Sequence, residues 1–391
     1  MYSLFEKIGT TAKVKSNVNF ANHGVFRLHY MVTVAILIGC SLLVTFSEHF
    51  ATLGPIQCIG NMRDRMIGGM VNQYCWISST YTVPRHWDKL TATEGAAYPG
   101  VGPEEEGDDV EYHAYYQWVP IVLILQAMSF YLPYHIWKHL GGNLVNKLTS
   151  NLNLQILVDP QADNPHVERL SEYFATHVGY HRSWYFGFVF CEILCFFTTI
   201  FNIFFTNLFL GYNFLNYGPD VVSSMSQDPE ERTDPMSRVF PRMTKCTFPI
   251  YGPSGTIQKF DHVCILYQNI INEKTYYFLW FWFIALALVT FFYLVLRNTV
   301  SMLITLRAKY LVDKGLSMKF DNAEIVVAYM SVSDWYLLYQ ISRFIDPVLY
   351  TKLIDSLAGK LNQFHGGKDI YSTDDSKAET LPLKVKLPTN T

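Results

Sequence analysis

The chain has 391 residues, half of them hydrophobic, 16% aromatic and only 16% charged, a more apolar balance than that of a typical soluble domain. Its net charge of −3 says little by itself, and no nucleic-acid partner is expected. The charges are segregated, because all 30 Lys and Arg lie outside four windows, 28–47, 116–137, 183–210 and 276–296. At about 1.5 Å per helical residue, even the shortest window covers about 30 Å, enough to cross a bilayer. The predicted fold is an all-α polytopic membrane protein with four transmembrane helices.

The polar segment 1–27 comes first, and no small-residue cleavage site follows the first window. That pattern predicts a retained signal anchor. Within the segment, Tyr2, Leu4, Phe5 and Ile8 recur at helical spacing, as on an amphipathic helix lying against a membrane. The next segment, 48–115, holds Cys58 and Cys75, and segment 211–275 holds Cys246 and Cys264 at almost the same spacing. Paired cysteines in polar loops point to an oxidising compartment. Cys40, Cys191 and Cys195 instead sit in apolar runs, where free cysteine behaves as a small hydrophobe. Both cysteine loops are therefore expected outside the plasma membrane, with the two termini and the 138–182 loop in the cytoplasm. The basic residues agree: 1–27 carries four against one acidic residue, and 48–115 carries four against ten. Neither outer loop contains an Asn-x-Ser/Thr site, which suits a surface left bare for a partner.

Between Ile59 and Met70 apolar residues recur three or four apart, predicting a helix despite Gly68-Gly69. Such a helix would separate Cys58 from Cys75 by up to about 25 Å. A disulfide tolerates a Cα separation of only about 7 Å, so pairing within this loop is disfavoured. Two connectivities remain: Cys58–Cys264 with Cys75–Cys246, or Cys58–Cys246 with Cys75–Cys264. Residues 256–266 read as a short strand beside that helix. The acidic run 103–111 reads as a solvated, flexible excursion, and it lacks the ligand spacing of a calcium-binding hand.

The second window opens with Tyr115-Tyr116-Gln117-Trp118-Val119-Pro120. Pro120 acts there either as a kink and hinge or as a tolerated first-turn residue. Pro133 raises the same question near the other end. Glu192 is the only acidic residue well inside a window. An ionised group there costs about 2.5–3.5 kcal/mol, so it faces protein or water, as a packing residue or a pore-lining one. The fourth window opens on the aromatic cluster Tyr276 to Phe283, suited to a membrane interface. Residues 300–358 read as helical: Asp346-Pro347 makes a helix start, and Leu349, Leu353, Ile354 and Leu357 form one apolar face. With 138–182, this region is expected to build a cytoplasmic dome. From 366 to 391 the composition turns polar and predicts disorder.

In these blocks the chain resembles the innexins, the invertebrate gap-junction channel subunits. The resemblance rests on Tyr115 to Pro120, on Pro55-Ile56-Gln57-Cys58, Asn72-Gln73-Tyr74-Cys75-Trp76 and Thr80 to Pro84, and on Phe240-Pro241-Arg242, Asn272-Glu273-Lys274 and Leu279 to Phe283. The blocks occur in the family's order and cover residues 29–300. Val25-Phe26 before Arg27-Leu28, Ile59 after the first loop cysteine and the acidic 104–111 stretch depart from the family pattern. The resemblance implies a homo- or hetero-oligomer of eight subunits in the lipid bilayer. It implies a hemichannel that docks with one on the adjacent cell or acts unpaired. It also implies the pairing Cys58–Cys264 and Cys75–Cys246, and a pore lined at its narrowest part by Tyr2, Leu4, Phe5 and Ile8. No catalytic residue, cofactor or metal is expected.

The rival reading is a membrane di-iron oxygenase. His135/His139 and His177/His181 are two His-x-x-x-His pairs, and each could place both imidazoles on one helix face. Such enzymes need further His-x-x-His-His boxes, and the chain has no His-His dipeptide. A tetraspan adhesion protein without a pore is the other alternative.

Overall fold

The computed structural model describes residues 24–50, 54–59, 65–87, 98–105, 107–141, 144–149, 165–226 and 234–364. Tyr2, Leu4, Phe5, Ile8 and the 366–391 tail lie outside these residues. In chain order the elements are a first span, Gly24–Glu48, then β1 (Ile56–Ile59), α1 (Arg65–Ser78), β2 (Thr80–Thr82) and β3 (Glu111–His113). A second span, Val119–Leu140, α2 (Pro165–Thr176) and a third span, Arg182–Phe209, follow. Next come α3 (Phe214–Ser224), β4 (Met243–Tyr251), β5 (Ile257–Leu266) and a fourth span, Tyr267–Met302. The described residues end with α4 (Ile304–Val312), α5 (Phe320–Tyr329), α6 (Val332–Ile341) and α7 (Pro347–Phe364). The described residues form two compact units, one from those within 24–149 and 181–303, the other from those within 165–180 and 304–364.

In the first unit the four spans pack in sequence order, and the fourth returns to the first. Leu37, Val44, Leu123, Phe130, Ile203, Phe283 and Leu286 form the shared core. Polar side chains join the helices inside it. Gln126 donates to the Thr206 hydroxyl at 2.7 Å, and Asn202 donates to that of Ser129 at 2.8 Å. Where no water competes, such interhelical bonds hold neighbouring spans in register. The first span contains a π-helical stretch, Leu28–Thr33. Its wider turn lets the Thr33 hydroxyl donate to the Leu28 carbonyl at 2.8 Å while accepting from the Trp282 indole at 3.0 Å.

The helix of the fourth span begins at Tyr267 rather than at 276. Its first turns carry Gln268, Asn269, Asn272 and Glu273, which a hydropathy reading assigns to a loop. All four are buried. Gln268 donates to the Val44 carbonyl at 3.0 Å and Asn269 to that of Pro241 at 2.8 Å. Burial of Gln268, Asn269 and Glu273 is tolerated because each has a partner, and the Asn272 amide donates to the Asn269 side-chain oxygen at 3.4 Å.

The loops between spans one and two and between spans three and four join in one five-stranded antiparallel sheet of order β1-β5-β4-β2-β3. The β4–β5 hairpin of the second loop lies between strands of the first loop on both sides. Sequence reading found only the strand near 256–266; β1, β2 and β3 are three or four residues long, too short for alternation to be seen. The helix predicted from Ile59 is displaced as well. Ile59 ends β1, and the helix runs from Arg65 through Cys75 to Ser78.

In the second unit, α7 is the central element, packing against α2 and α5. Its face of Leu349, Leu353, Ile354 and Leu357 is buried. Asp346 caps it by accepting from the Val348 amide at 2.8 Å. Lys360 pairs with Glu168 of α2 at 2.6 Å. Ser331 caps α6, and the buried Asp334 accepts from the Gly179 amide at 2.7 Å.

Candidate functional site

The most constructed part of the surface is the platform formed by the two cysteine loops. Cys58 and Cys264 are bonded to each other and face each other in the β1–β5 ladder, with Cα atoms 3.9 Å apart. Cys75 of α1 is bonded to Cys246 of β4, with Cα atoms 5.9 Å apart. The sulfurs of Cys58, Cys75 and Cys264 lie within 4.8 Å of one another. The expectation that a helix holds Cys58 and Cys75 far apart is therefore corrected: α1 brings Cys75 back beside the β1–β5 ladder. Distance between these two cysteines does not exclude their pairing; the strand register opposite Cys264 is what assigns Cys58 its partner.

The two disulfides form one small core with Ile56, Val71, Tyr116 and Leu266. This core binds the platform to the second span through the Tyr115–Pro120 stretch. The Tyr115 hydroxyl donates to the Val239 carbonyl at 2.9 Å and accepts from Asn269 at 3.2 Å, while its ring packs on Phe209 and Phe240. Burial holds its phenol well above the ordinary tyrosine range. Tyr116 lies against Trp76 at 4.6 Å, and Gln117 donates to the Trp76 carbonyl. Trp118 is exposed and Val119 fully buried. Pro120 occupies the first turn of the span, where no intrahelical partner awaits its missing N–H, and its carbonyl accepts from Ser41 at 3.0 Å. Pro133 lies inside the helix.

Charges brace the platform edges. Glu273 is buried and takes the Arg242 guanidinium through two bonds, 2.9 and 3.0 Å, which raises the guanidinium further above its ordinary range. Lys245, only 7% exposed, lies 3.6 Å from Asp261 and 5.5 Å over the Tyr81 ring. Burial pushes the Tyr81 phenol up to about 12 and the His113 imidazole down to about 4. His113 meets the Thr82 hydroxyl at 2.8 Å. The acidic run is tied down where sequence reading expected free excursion. Arg85 pairs with Glu105 at 2.8 Å and Asp108 at 3.2 Å, and the Tyr81 hydroxyl donates to Glu104 at 3.3 Å.

The remaining candidates fall elsewhere. Glu192 is buried and forms an ion pair with Arg297 of the fourth span, with Tyr293 donating to it at 3.4 Å. His177 and His181 lie in the turn between α2 and the third span, so they do not share a helix face. Among the described residues, the close trio of potential metal ligands is Cys58, Cys75 and Cys264, and all three are oxidised in disulfides, leaving no thiolate to ligate. Sequence reading missed Arg242 as the partner of Glu273, since 31 positions separate them.

Comparison with known proteins bears on this geometry. The innexin family profile matches residues 22–361. The chain is 40% identical to Innexin inx2 of Schistocerca americana over 371 residues, covering 95% of this chain and all of that protein. It is 41% identical to Innexin inx2 of Drosophila melanogaster, over 87% of this chain and 91% of that one. Innexin shaking-B of the same fly is 36% identical over 87% of this chain.

Proposed function

This chain belongs to the innexin family of gap-junction channel proteins, and from that premise we propose that eight subunits, of one or several innexins, form a hemichannel. The cysteine loops face the extracellular side, and both termini and the second unit face the cytoplasm. Two hemichannels on adjacent cells dock through their platforms and pass ions and small molecules between cytoplasms. An undocked hemichannel passes the same solutes across one membrane. Tyr2, Leu4, Phe5 and Ile8 line the narrow part of the pore, and Pro120 marks the pivot at which the second span moves relative to the platform.

The observation that carries this reading is the interleaving of the two loops: the β4–β5 hairpin between β1 and β2, with a disulfide from each first-loop cysteine. A surface already rigid before contact loses less conformational entropy on docking than two free loops would. Glu192 is neutralised by Arg297 and supports packing rather than permeation.

Expression in paired cells that otherwise lack junctional coupling tests the proposal. Dye transfer and a junctional current are expected. Adhesion of the cells with neither would replace the channel by a contact protein without a pore.

A further inference from the structure

His135 and His139 lie one turn apart near the end of the second span, and both side chains are exposed. Their rings are in contact, with centroids 4.6 Å apart and planes at 75°. Two imidazoles bound in adjacent positions of one metal, at about 2.1 Å per Zn–N bond, bring their ring centres to about 5 Å apart. The observed spacing lies close to that value, so side-chain rotation on a fixed helix backbone could bring a nitrogen of each ring to one ion.

The His177/His181 pair has the same sequence spacing but a different setting. His177 stacks on Tyr173 with centroids 4.7 Å apart and shares a contact with Thr176, at 2.9 Å. His181 is buried. Spacing alone is therefore not the basis for singling out the first pair; helix geometry, exposure and ring separation are.

We propose that His135 and His139 form a two-histidine site for a divalent transition-metal ion of the imidazole-preferring class, Zn²⁺ or Cu²⁺, at the end of the second span. Water completes the coordination sphere, so the ion exchanges readily. Binding needs both rings deprotonated at the ligating nitrogen, so protons compete with the metal and acidification releases it. A chelate across one turn ties the last turn of this helix together, immediately before Gly141, and stiffens the exit from the membrane. This site is no di-iron centre, since two neutral nitrogens alone supply neither the carboxylate bridges nor the ligand number of one.

Zn²⁺ titration of the purified full-length chain, read by competition with a chromophoric chelator, tests the site. Removing a ligand should cost at least the roughly tenfold loss typical of removing a ligand's supporting partner. His135→Ala and His139→Ala are each expected to weaken one Zn²⁺ equivalent that far, and the double variant to lose it. His177→Ala should leave that equivalent in place. Unchanged stoichiometry and affinity in the double variant would overturn the proposal. If the variants do not fold, electron paramagnetic resonance of the Cu²⁺-bound wild type decides. Coupling to two imidazole nitrogens supports the site, and coupling to one or none rejects it.

Discussion

Cys58 stands opposite Cys264 in the β1–β5 ladder, so their disulfide and the ladder's hydrogen bonds hold the same two strands together. Cys75 has no such duplicate. It lies on α1, and its bond to Cys246 is the helix's covalent tie to the second loop. The two bridges therefore carry unequal shares of the platform's order.

Limited proteolysis separates those shares. The paired variant Cys75→Ser/Cys246→Ser should be cut within 65–78 faster than Cys58→Ser/Cys264→Ser, whose β1 retains its ladder. Loss of a bridge of this kind costs about 2–5 kcal/mol in small secreted domains. Equal or reversed cleavage would show that the ladder does not back up the first bridge.

Platform stability should fall with acid. His113 is held at about 4 by burial, below the ordinary imidazole value of about 6.5. The unfolded loop therefore binds the proton first, and stability present above about pH 6.5 is lost progressively as pH falls toward 4. The full effect is about 3 kcal/mol, from 1.36 kcal/mol per pH unit. Hydrogen exchange of β2 and β3 amides should accelerate across that window in the wild type and much less in His113→Gln. Identical pH profiles would remove His113 from the account.

Glu192 and Arg297 should behave as one unit. Breaking a buried pair leaves an uncompensated charge and costs about 3–5 kcal/mol, whereas replacing both partners by uncharged groups is often neutral. Arg297→Met should therefore reduce the yield of folded protein, and Glu192→Gln/Arg297→Met should restore it. Additive losses in the double variant would contradict the pairing.

Close packing between α3 and the fourth span can be tested at Gly218. A Cβ there would overlap the Trp280 ring, whose indole donates to the Leu215 carbonyl at 3.2 Å. Gly218→Ala should cost about 1–3 kcal/mol through overpacking. Trp280→Phe in the same chain should relieve part of that cost, measured as recovery of thermal stability.

The four spans were legible because lipid demands long uncharged runs, a signal that no other constraint competes with. The family blocks were legible through the cysteines and the Tyr115–Pro120 stretch. The sheet was not. Its strands in the first loop are too short for alternation, and β4 contains Pro249, which argues against a strand from sequence alone. The start of the fourth helix was missed because Gln268, Asn269 and Glu273 find distant partners that hydropathy cannot anticipate. The acidic run was read as free because Arg85, which holds it, lies some twenty residues earlier. In each case the missing information was a long-range pairing.

In the proposed channel, the two disulfide-linked loops of each subunit form one docking platform. Dual voltage clamp of paired cells, with surface biotinylation as the control, tests it most directly. Wild type should give junctional current. Cys75→Ser/Cys246→Ser should reach the surface yet give current at background. Normal current from that variant at equal surface density would contradict the claim.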